Sequence, residues 1–362
     1  MIRVSRTVLP PLEEYVAYLE QLWDSAWVTN NGVLLRTLES RLAETLGVEH
    51  VVVVANGTLA IQLALRALEL HGEVITTPFS YVATASSLVW EGCRPVFADI
   101  EADTLTLDPA RAEALVTPAT TGILATHVYG VPCDVEVLAR LAERKGLRLV
   151  YDAAHAFGVR YRGRSLLTWG DASTLSFHAT KLFHTVEGGA VVTANPSLAE
   201  AVRRLRSFGQ TSPDVFVEPG INAKASEFHA AMGLCLLPRL PALIAGRREI
   251  AEIYDRGLTR LATPVERPRL RPGTDWNYAY YPLLLPDEGS VLRVQQRLRN
   301  AEVETRRYFY PSLSDLPYVS AAETPISRQA AARVLCLPLW PGLEPARAVA
   351  IAQLVVEELG AA

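Results

Sequence analysis

Lysine is scarce in this chain. Lysines and arginines together number 35, yet the only lysines are Lys145, Lys181 and Lys224. On a surface, arginine carries positive charge as well as lysine does. Its guanidinium, however, keeps its proton up to a pKa above ~12, so it cannot attack a carbonyl. A lysine kept where arginine is the rule is therefore a candidate nucleophilic amine. Lys181 ends the run Ser176-Phe177-His178-Ala179-Thr180-Lys181 and is soon followed by Glu187-Gly188-Gly189. By itself, a stray surface lysine is the simpler explanation.

Two further segments carry chemistry. Asn56-Gly57-Thr58 follows the apolar run Val51–Ala55 and opens a helix-like stretch. A helix N-terminus offers unpaired N–H groups and about half a positive charge, which suits a phosphate. The simpler reading is an ordinary N-cap supplied by Asn56 or Thr58. In Leu149-Val150-Tyr151-Asp152-Ala153-Ala154-His155, a carboxylate closes an apolar strand. Ligands bind at such strand ends in α/β sheets. A carboxylate in apolar surroundings is costly without a cationic partner, and a protonated ring nitrogen would be one. A structural ion pair or helix cap is the alternative.

These groups need a scaffold. Short apolar runs at Val51–Val54, Glu73–Thr77, Pro95–Ile100, Gly122–Val128, Leu147–Tyr151, Ala172–Phe177 and Gly189–Thr193 alternate with helical patterns at Thr58–Leu70, Ala83–Trp90 and Val135–Lys145. Continuously apolar strands separated by helices predict a mostly parallel, seven-stranded sheet covered on both faces. Helices over Leu198–Ser207 and Ser226–Tyr254 follow. Pro264, Pro268 and Pro272 mark a change of texture. The remainder reads as a smaller α+β domain, with Tyr280–Leu285, Val291–Asn300, Val303–Tyr308 and a final helix over Ala346–Leu359. The expected organisation is an N-terminal arm over 1–45, a large domain over 46–260 and a small domain over 261–362. On this scaffold a hydroxyl, an amine and a carboxylate all belong to strand ends of one sheet. Pyridoxal 5'-phosphate requires such a set: a phosphate cradle, a lysine and an acid for its pyridinium.

The ordered motifs resemble the DegT/DnrJ/EryC1/StrS sugar aminotransferase family, a fold-type-I pyridoxal-phosphate group. The matching segments are Asn56-Gly57-Thr58-Leu59-Ala60, Pro78 to Thr84, Asp152-Ala153-Ala154-His155, Ser176 to Lys181, Glu187-Gly188-Gly189-Ala190 and Gly220-Ile221-Asn222-Ala223-Lys224. Tyr308-Phe309-Tyr310-Pro311 and Leu335 to Leu339 also look familial. The resemblance covers nearly the whole chain. It implies that Lys181 carries the cofactor and later shuttles the proton, and that Asp152 holds the pyridine nitrogen. Gly57, Thr58 and Ser176 would bind the phosphate. Tyr81 falls where an aromatic ring stacks on the cofactor, and His155 where a side chain approaches its phenolic oxygen. Asn222 matches an asparagine that reaches the phosphate from the neighbouring subunit, which implies a homodimer with shared active sites. A family branch that dehydrates sugars carries histidine in place of the lysine, so Lys181 points away from it. Gly220–Lys224 departs from the more usual Gly-aromatic-Asn-Tyr-Arg, and Lys224 stands where the arginine would be. His178 and His184 flank the lysine without an assigned role.

Within the family, Leu9 to Tyr15, Trp27-Val28-Thr29-Asn30 and Phe157 to Tyr161 look most like enzymes that aminate dTDP-4-keto-6-deoxyglucose at C-4. The implied partners are a dTDP-linked keto-sugar and L-glutamate, and the implied product is a precursor for O-antigen or related glycans. Amination at C-3 and a catalytically silent binding homologue are the alternatives. A pyridoxal-phosphate lyase or amino-acid aminotransferase is a third alternative, disfavoured because no arginine stands out as a carboxylate clamp.

The totals agree with a globular enzyme. Apolar residues make up 49% and charged residues 20% of 362, enough for a large core. A net charge of −4 gives no reason to expect nucleic acid or an anionic membrane. No apolar run approaches the ~18 residues of a transmembrane helix. Met1 to Tyr15 lacks an apolar signal core, and the four scattered cysteines suit buried free thiols. A cytoplasmic setting without a metal is expected.

Overall fold

The computed structural model describes residues 1–261 and 265–360; Pro264, one of the linker prolines, lies outside them. The central sheet has seven strands: β1 (His50–Val54), β2 (Glu73–Thr76), β3 (Arg94–Phe97), β4 (Thr120–Thr126), β5 (Arg148–Asp152), β6 (Ala172–Ser176) and β7 (Gly189–Thr193). Their spatial order is β1-β7-β6-β5-β4-β2-β3. The β6-β5-β4-β2-β3 pairings are all parallel, whereas β7 runs antiparallel to both β1 and β6. Consequently β1, β5 and β6 point the same way, and their C-terminal ends share one edge of the sheet.

The apolar runs form strands because both faces are covered. Val51 and Val53 enter the core on one side of the sheet, and Val52 and Val54 the core on the other. The same alternation places Leu149 and Tyr151 on one side and Val150 on the other. Burial of each such side chain contributes roughly 1.5–3 kcal/mol, so every strand is held in register from both faces.

The N-terminal segment is tied to the whole body. Ile2 bridges Val303, and the Leu339 N–H donates to the Val4 carbonyl. Helices Leu12–Ser25 and Val33–Leu46 follow. The second has no cap of its own; instead the Glu227 carboxylate accepts from the N–H groups of Leu34 (2.7 Å) and Leu35 (3.3 Å). Placing an anion at a helix N-terminus also satisfies the macrodipole. Glu39 and the buried Arg206 then bind each other (2.6 Å) and the backbone of Val53, which fastens this helix to β1.

Three expectations need correction. The single helix over Ser226–Tyr254 is two helices, Glu227–Leu236 and Leu240–Leu258, joined by a tight turn at Leu237–Arg239. Pro238 and Pro241 remove the N–H groups that a continuous helix needs there. No apolar run was expected to reach membrane-spanning length, yet the 32-residue segment Glu227–Leu258 contains an 18-residue window with a mean hydropathy of 1.5. Its apolar residues instead enter the two protein cores. The expected strand over Val303–Tyr308 forms only single bridges, from Val303 to Ile2 and from Arg306 to Cys336, because it pairs with two different neighbours by one residue each.

The C-terminal unit pairs Tyr281–Leu284 antiparallel with Val334–Leu337. Helices Glu288–Asn300 and Pro345–Leu359 pack on that pair. Its core also takes Ile250, Ile253, Tyr254 and Leu258 from the long helix, ahead of the proline-marked passage. Cys93, Cys133, Cys235 and Cys336 are free and buried.

Candidate active site

A cavity of about 300 Å³ opens at the C-terminal edge of β1, β5 and β6. Seven of the residues singled out in the sequence line it: Gly57, Thr58, Tyr81, Asp152, His155, Ser176 and Lys181. Each is delivered by a strand end or the turn that follows it.

After β1, Asn56 caps helix Gly57–Ala67 by accepting from Leu59 N–H at 2.9 Å. The capping reading is thus realised, and by Asn56. The cap occupies the third N–H only and leaves those of Gly57 and Thr58 without intrahelical partners. Gly57 faces Ser176 at the end of β6. A Cβ at Gly57 would lie 2.8 Å from the Ser176 Cβ and 3.1 Å from its Oγ. Gly189, at the start of β7, passes beneath the same turn, where a Cβ would sit 2.5 Å from the Asn56 carbonyl oxygen. Two glycines therefore let a helix N-terminus and a serine converge closely enough to form an anion cradle.

Asp152 ends β5 and is only 5% exposed. Its Oδ2 accepts from the Thr84 hydroxyl at 2.7 Å and its Oδ1 from Ala154 N–H at 3.1 Å. Thr84 in turn accepts from Ser80 (2.8 Å), and Ser80 from Thr126 (3.1 Å). The single proton of Thr84 goes to the carboxylate, so all three hydroxyls donate in one direction, toward Asp152. Burial pushes the Asp152 carboxyl above its ordinary range, and the Thr84 hydroxyl, the Ala154 N–H and the Lys181 cation oppose that rise.

Lys181 stands in the turn after β6, partly exposed to the cavity. Burial pushes its amine down to about 8, against the pull of Asp152 and Tyr81. Its Nζ donates to the Tyr280 hydroxyl at 3.3 Å. An amine that loses its proton near neutral pH is suited to nucleophilic and general-base work. His155 accepts from Tyr129 N–H through Nδ1 (3.1 Å), so the neutral ring carries its proton on Nε2. Burial, helped by the Lys181 cation, holds it well below the usual histidine range. Its ring stacks on Phe309 at 5.5 Å and 3°. Tyr81, 57% exposed, presents an open ring at the mouth.

Asn222 does not join this group. It is exposed, lies outside the cavity of its own chain and bridges Ser207 through the backbone. Lys224 sits with its amine 5.0 Å from the centre of the Phe208 ring, also outside the cavity. His184 pins the N-terminal segment, because Nδ1 accepts from Val186 N–H (3.1 Å) and Nε2 donates to the Val8 carbonyl (2.9 Å). His178 lies on the cavity wall, with Nδ1 on the Thr180 hydroxyl at 2.8 Å and Nε2 3.7 Å from Glu187.

Sequence reasoning missed Ser80, Thr84, Tyr280, Tyr308 and Phe309, which also line or support the cavity. The spacing of Ser80 and Thr84, one helical turn apart in a quoted segment, was a usable signal. The three aromatics arrive from the C-terminal unit; Tyr308 and Phe309 stand in a segment that looks familial, whereas Tyr280 carries no local mark of its position.

The profile of the DegT/DnrJ/EryC1/StrS aminotransferase family matches residues 12–356. This chain belongs to that family. It is 41% identical over 344 residues to the dTDP-4-amino-4,6-dideoxy-D-glucose transaminase of Shigella dysenteriae, covering 93% of this chain and 94% of the relative. It is 37% identical over 370 residues to the Escherichia coli enzyme of the same name, covering 99% of each. The solved structure of DesI in the presence of its TDP-sugar product superposes with a TM-score of 0.92 at 36% identity, covering 99% of this chain and 93% of that one. The aminotransferase uses pyridoxal 5'-phosphate. The donor set fits that group: an amine poised near neutrality, a buried carboxylate in no ion pair among the described residues, and a cradle that one added methyl would fill.

The cradle gives a first prediction. Gly57→Ala places a methyl against Ser176, and overpacking of this kind costs ~1–3 kcal/mol. Cofactor affinity, measured by titrating the apoenzyme and following visible absorbance, should fall about tenfold or more, while the melting temperature of the apoenzyme falls by only a few degrees. Undiminished affinity would show that the phosphate lies elsewhere.

Proposed function

We propose that this aminotransferase moves an amino group from L-glutamate to C-4 of dTDP-4-keto-6-deoxyglucose, giving dTDP-4-amino-4,6-dideoxyglucose. The observation that carries the reading is its near full-length similarity to two transaminases named for that product. In the same reading the enzyme works in the cytoplasm and supplies amino sugars for O-antigen or related glycans.

When bound, the cofactor supplies an electron-accepting ring and an aldehyde carbon that can exchange amines. The residues of this chain do the rest. Lys181 would hold the cofactor through its amine and, once free, serve as the proton carrier at Nζ. Asp152, aligned by Thr84 and Ala154, would hold the ring nitrogen protonated. The Gly57 and Thr58 N–H groups and the Ser176 hydroxyl would hold the phosphate. His155, with its proton on Nε2, and Tyr81 would hold the ring by a hydrogen bond and by stacking. The test is mass spectrometry after incubation with glutamate and a panel of dTDP-, UDP- and GDP-linked keto-sugars. Amination confined to a UDP- or GDP-sugar, or to C-3, would overturn the substrate assignment.

In this reading the active unit is a homodimer, and Asn222 completes the site of the partner subunit. The motivation is that Asn222 is exposed and outside the cavity of its own chain. Heterodimers that pair a Lys181→Ala chain with an Asn222→Ala chain, isolated with two tags, gather both lesions into one site and leave the other intact. Activity should return to about half of wild type, above either homodimer. Heterodimers as inactive as two severely impaired parents would reject the shared site, as would a fully active monomer.

A further inference from the structure

We propose that Tyr280 is a catalytic residue: its hydroxyl holds the Lys181 amine whenever that amine is free and keeps it aimed at the reacting carbon. The inference rests on the reading of Lys181 as the proton carrier. Lys181 Nζ donates to the Tyr280 hydroxyl at 3.3 Å and lies 5.9 Å from the ring centre. Once released, a lysine amine on its flexible four-carbon stem has many places to go, so its partner in the free state decides where it points.

Tyr280 is itself held firmly. Its ring meets His155 edge-on at 4.8 Å, Tyr308 at 5.4 Å and Tyr129 at 5.8 Å. The residues just before it are pinned to the turn that carries His155. Asn277 Nδ2 donates to the carbonyls of His155 (2.8 Å) and Phe157 (2.9 Å), and Trp276 Nε1 to that of Tyr129 (2.9 Å). From the other side, Arg247 donates to the Ala279 carbonyl at 2.9 Å. Arg247 is only 4% exposed and forms no ion pair with a carboxylate among the described residues. A buried guanidinium directed at backbone carbonyls makes Arg247 a positioning residue for the turn that presents Tyr280.

The chemistry balances without moving a proton onto the phenol. A neutral hydroxyl can donate to a neutral amine and accept from an ammonium. As the C–H bond of the amino donor breaks, its electron pair stays with the carbon side and the nitrogen lone pair forms a new N–H bond. Tyr280 turns from donor to acceptor. When the ammonium gives that proton to the accepting carbon, the N–H pair returns to nitrogen and Tyr280 turns back. Burial raises the Tyr280 phenol above its ordinary range, so it stays neutral throughout.

The scarcity of lysine makes a direct test possible. Protein labelled with ¹³C at the lysine ε-carbon shows three resonances, and that of Lys181 is the one lost in Lys181→Ala. It is titrated in the cofactor-free chain and in holoenzyme treated with excess glutamate. Tyr280→Phe removes only the hydroxyl. Asp152, Tyr81, His155, His178, Glu187 and Tyr308 line the same cavity and all remain. The Lys181 midpoint, about 8 in the cofactor-free chain, should fall by about one unit, because the ammonium loses an acceptor. The turnover number should fall on the order of tenfold to hundredfold, with the glutamate KM within about twofold, and cofactor content and melting temperature unchanged. An unmoved midpoint, or wild-type turnover, would overturn the proposal. If the variant does not fold, the wild-type protein decides: a nuclear Overhauser contact between the Lys181 ε-methylene and the Tyr280 ring in the glutamate-treated holoenzyme supports the proposal, and its absence refutes it. A wild-type enzyme inert toward glutamate would refute the reaction reading alone, because the cofactor-free titration still tests the hydrogen bond.

Discussion

Lys181→Ala abolishes transamination and leaves the fold intact. The side chain faces a cavity, and its Nζ makes one hydrogen bond, to Tyr280, so truncation opens space at an already open site. What is lost is the only amine, among the described residues lining the cavity, that can bind the cofactor and carry the proton. Arginine cannot replace it, since no guanidinium gives up its proton near pH 8. Proton transfer by a positioned group alone is worth about 10²–10⁴-fold, and loss of covalent attachment adds to that. Turnover should fall by at least on the order of 10⁴-fold in a coupled assay. Lys145→Ala is the control. Lys145 is exposed in the last turn of helix Val135–Lys145, where it serves the helix dipole. Its removal should change stability by no more than ~0.5 kcal/mol and leave activity alone. Equal losses in the two variants would sink the assignment of Lys181.

The second large effect is expected at Asp152. Asp152→Asn should still bind cofactor yet lose most of its turnover. Three hydroxyls donate along a chain that ends on this carboxylate, and the Ala154 N–H donates to its other oxygen. These contacts favour the anion against the burial that disfavours it. An amide provides no negative charge to keep the ring nitrogen protonated. It also replaces one acceptor oxygen with a donor, so either Thr84 or Ala154 loses its partner at a cost of about 1–3 kcal/mol. Stopped-flow decay of the visible cofactor band on mixing with glutamate should slow on the order of 10²–10³-fold, the scale of losing one preorganised electrostatic contact. A near-wild-type rate would show that another group holds the pyridinium.

Much of this site is legible in the sequence alone. Val51–Val54, Leu149–Tyr151 and the other apolar runs announce buried parallel strands, because a strand covered on both faces favours apolar side chains at most positions. With the strands placed, their ends are placed. Gly57, Thr58, Asp152, Ser176 and Lys181 then fall on one edge, and their chemistry names the cofactor. Helix Val135–Lys145 and strand Gly189–Thr193 have the bounds expected of them, since their caps and periodicity are local.

Only the tertiary structure decided what depends on distant partners. The prolines that split Glu227–Leu258 are visible in the sequence, but the division of that segment between two cores is not. Glu227 caps a helix almost two hundred residues before it, and His184 turns out to anchor Val8. Tyr280 and Phe309 reach Lys181 and His155 from the C-terminal unit, and nothing local to Tyr280 places it beside Lys181. The physical reason is one of range. Periodicity, capping and side-chain chemistry act within a few residues and are written locally. A hydrogen bond or ring contact between residues a hundred positions apart exists only once the chain has closed the loop between them.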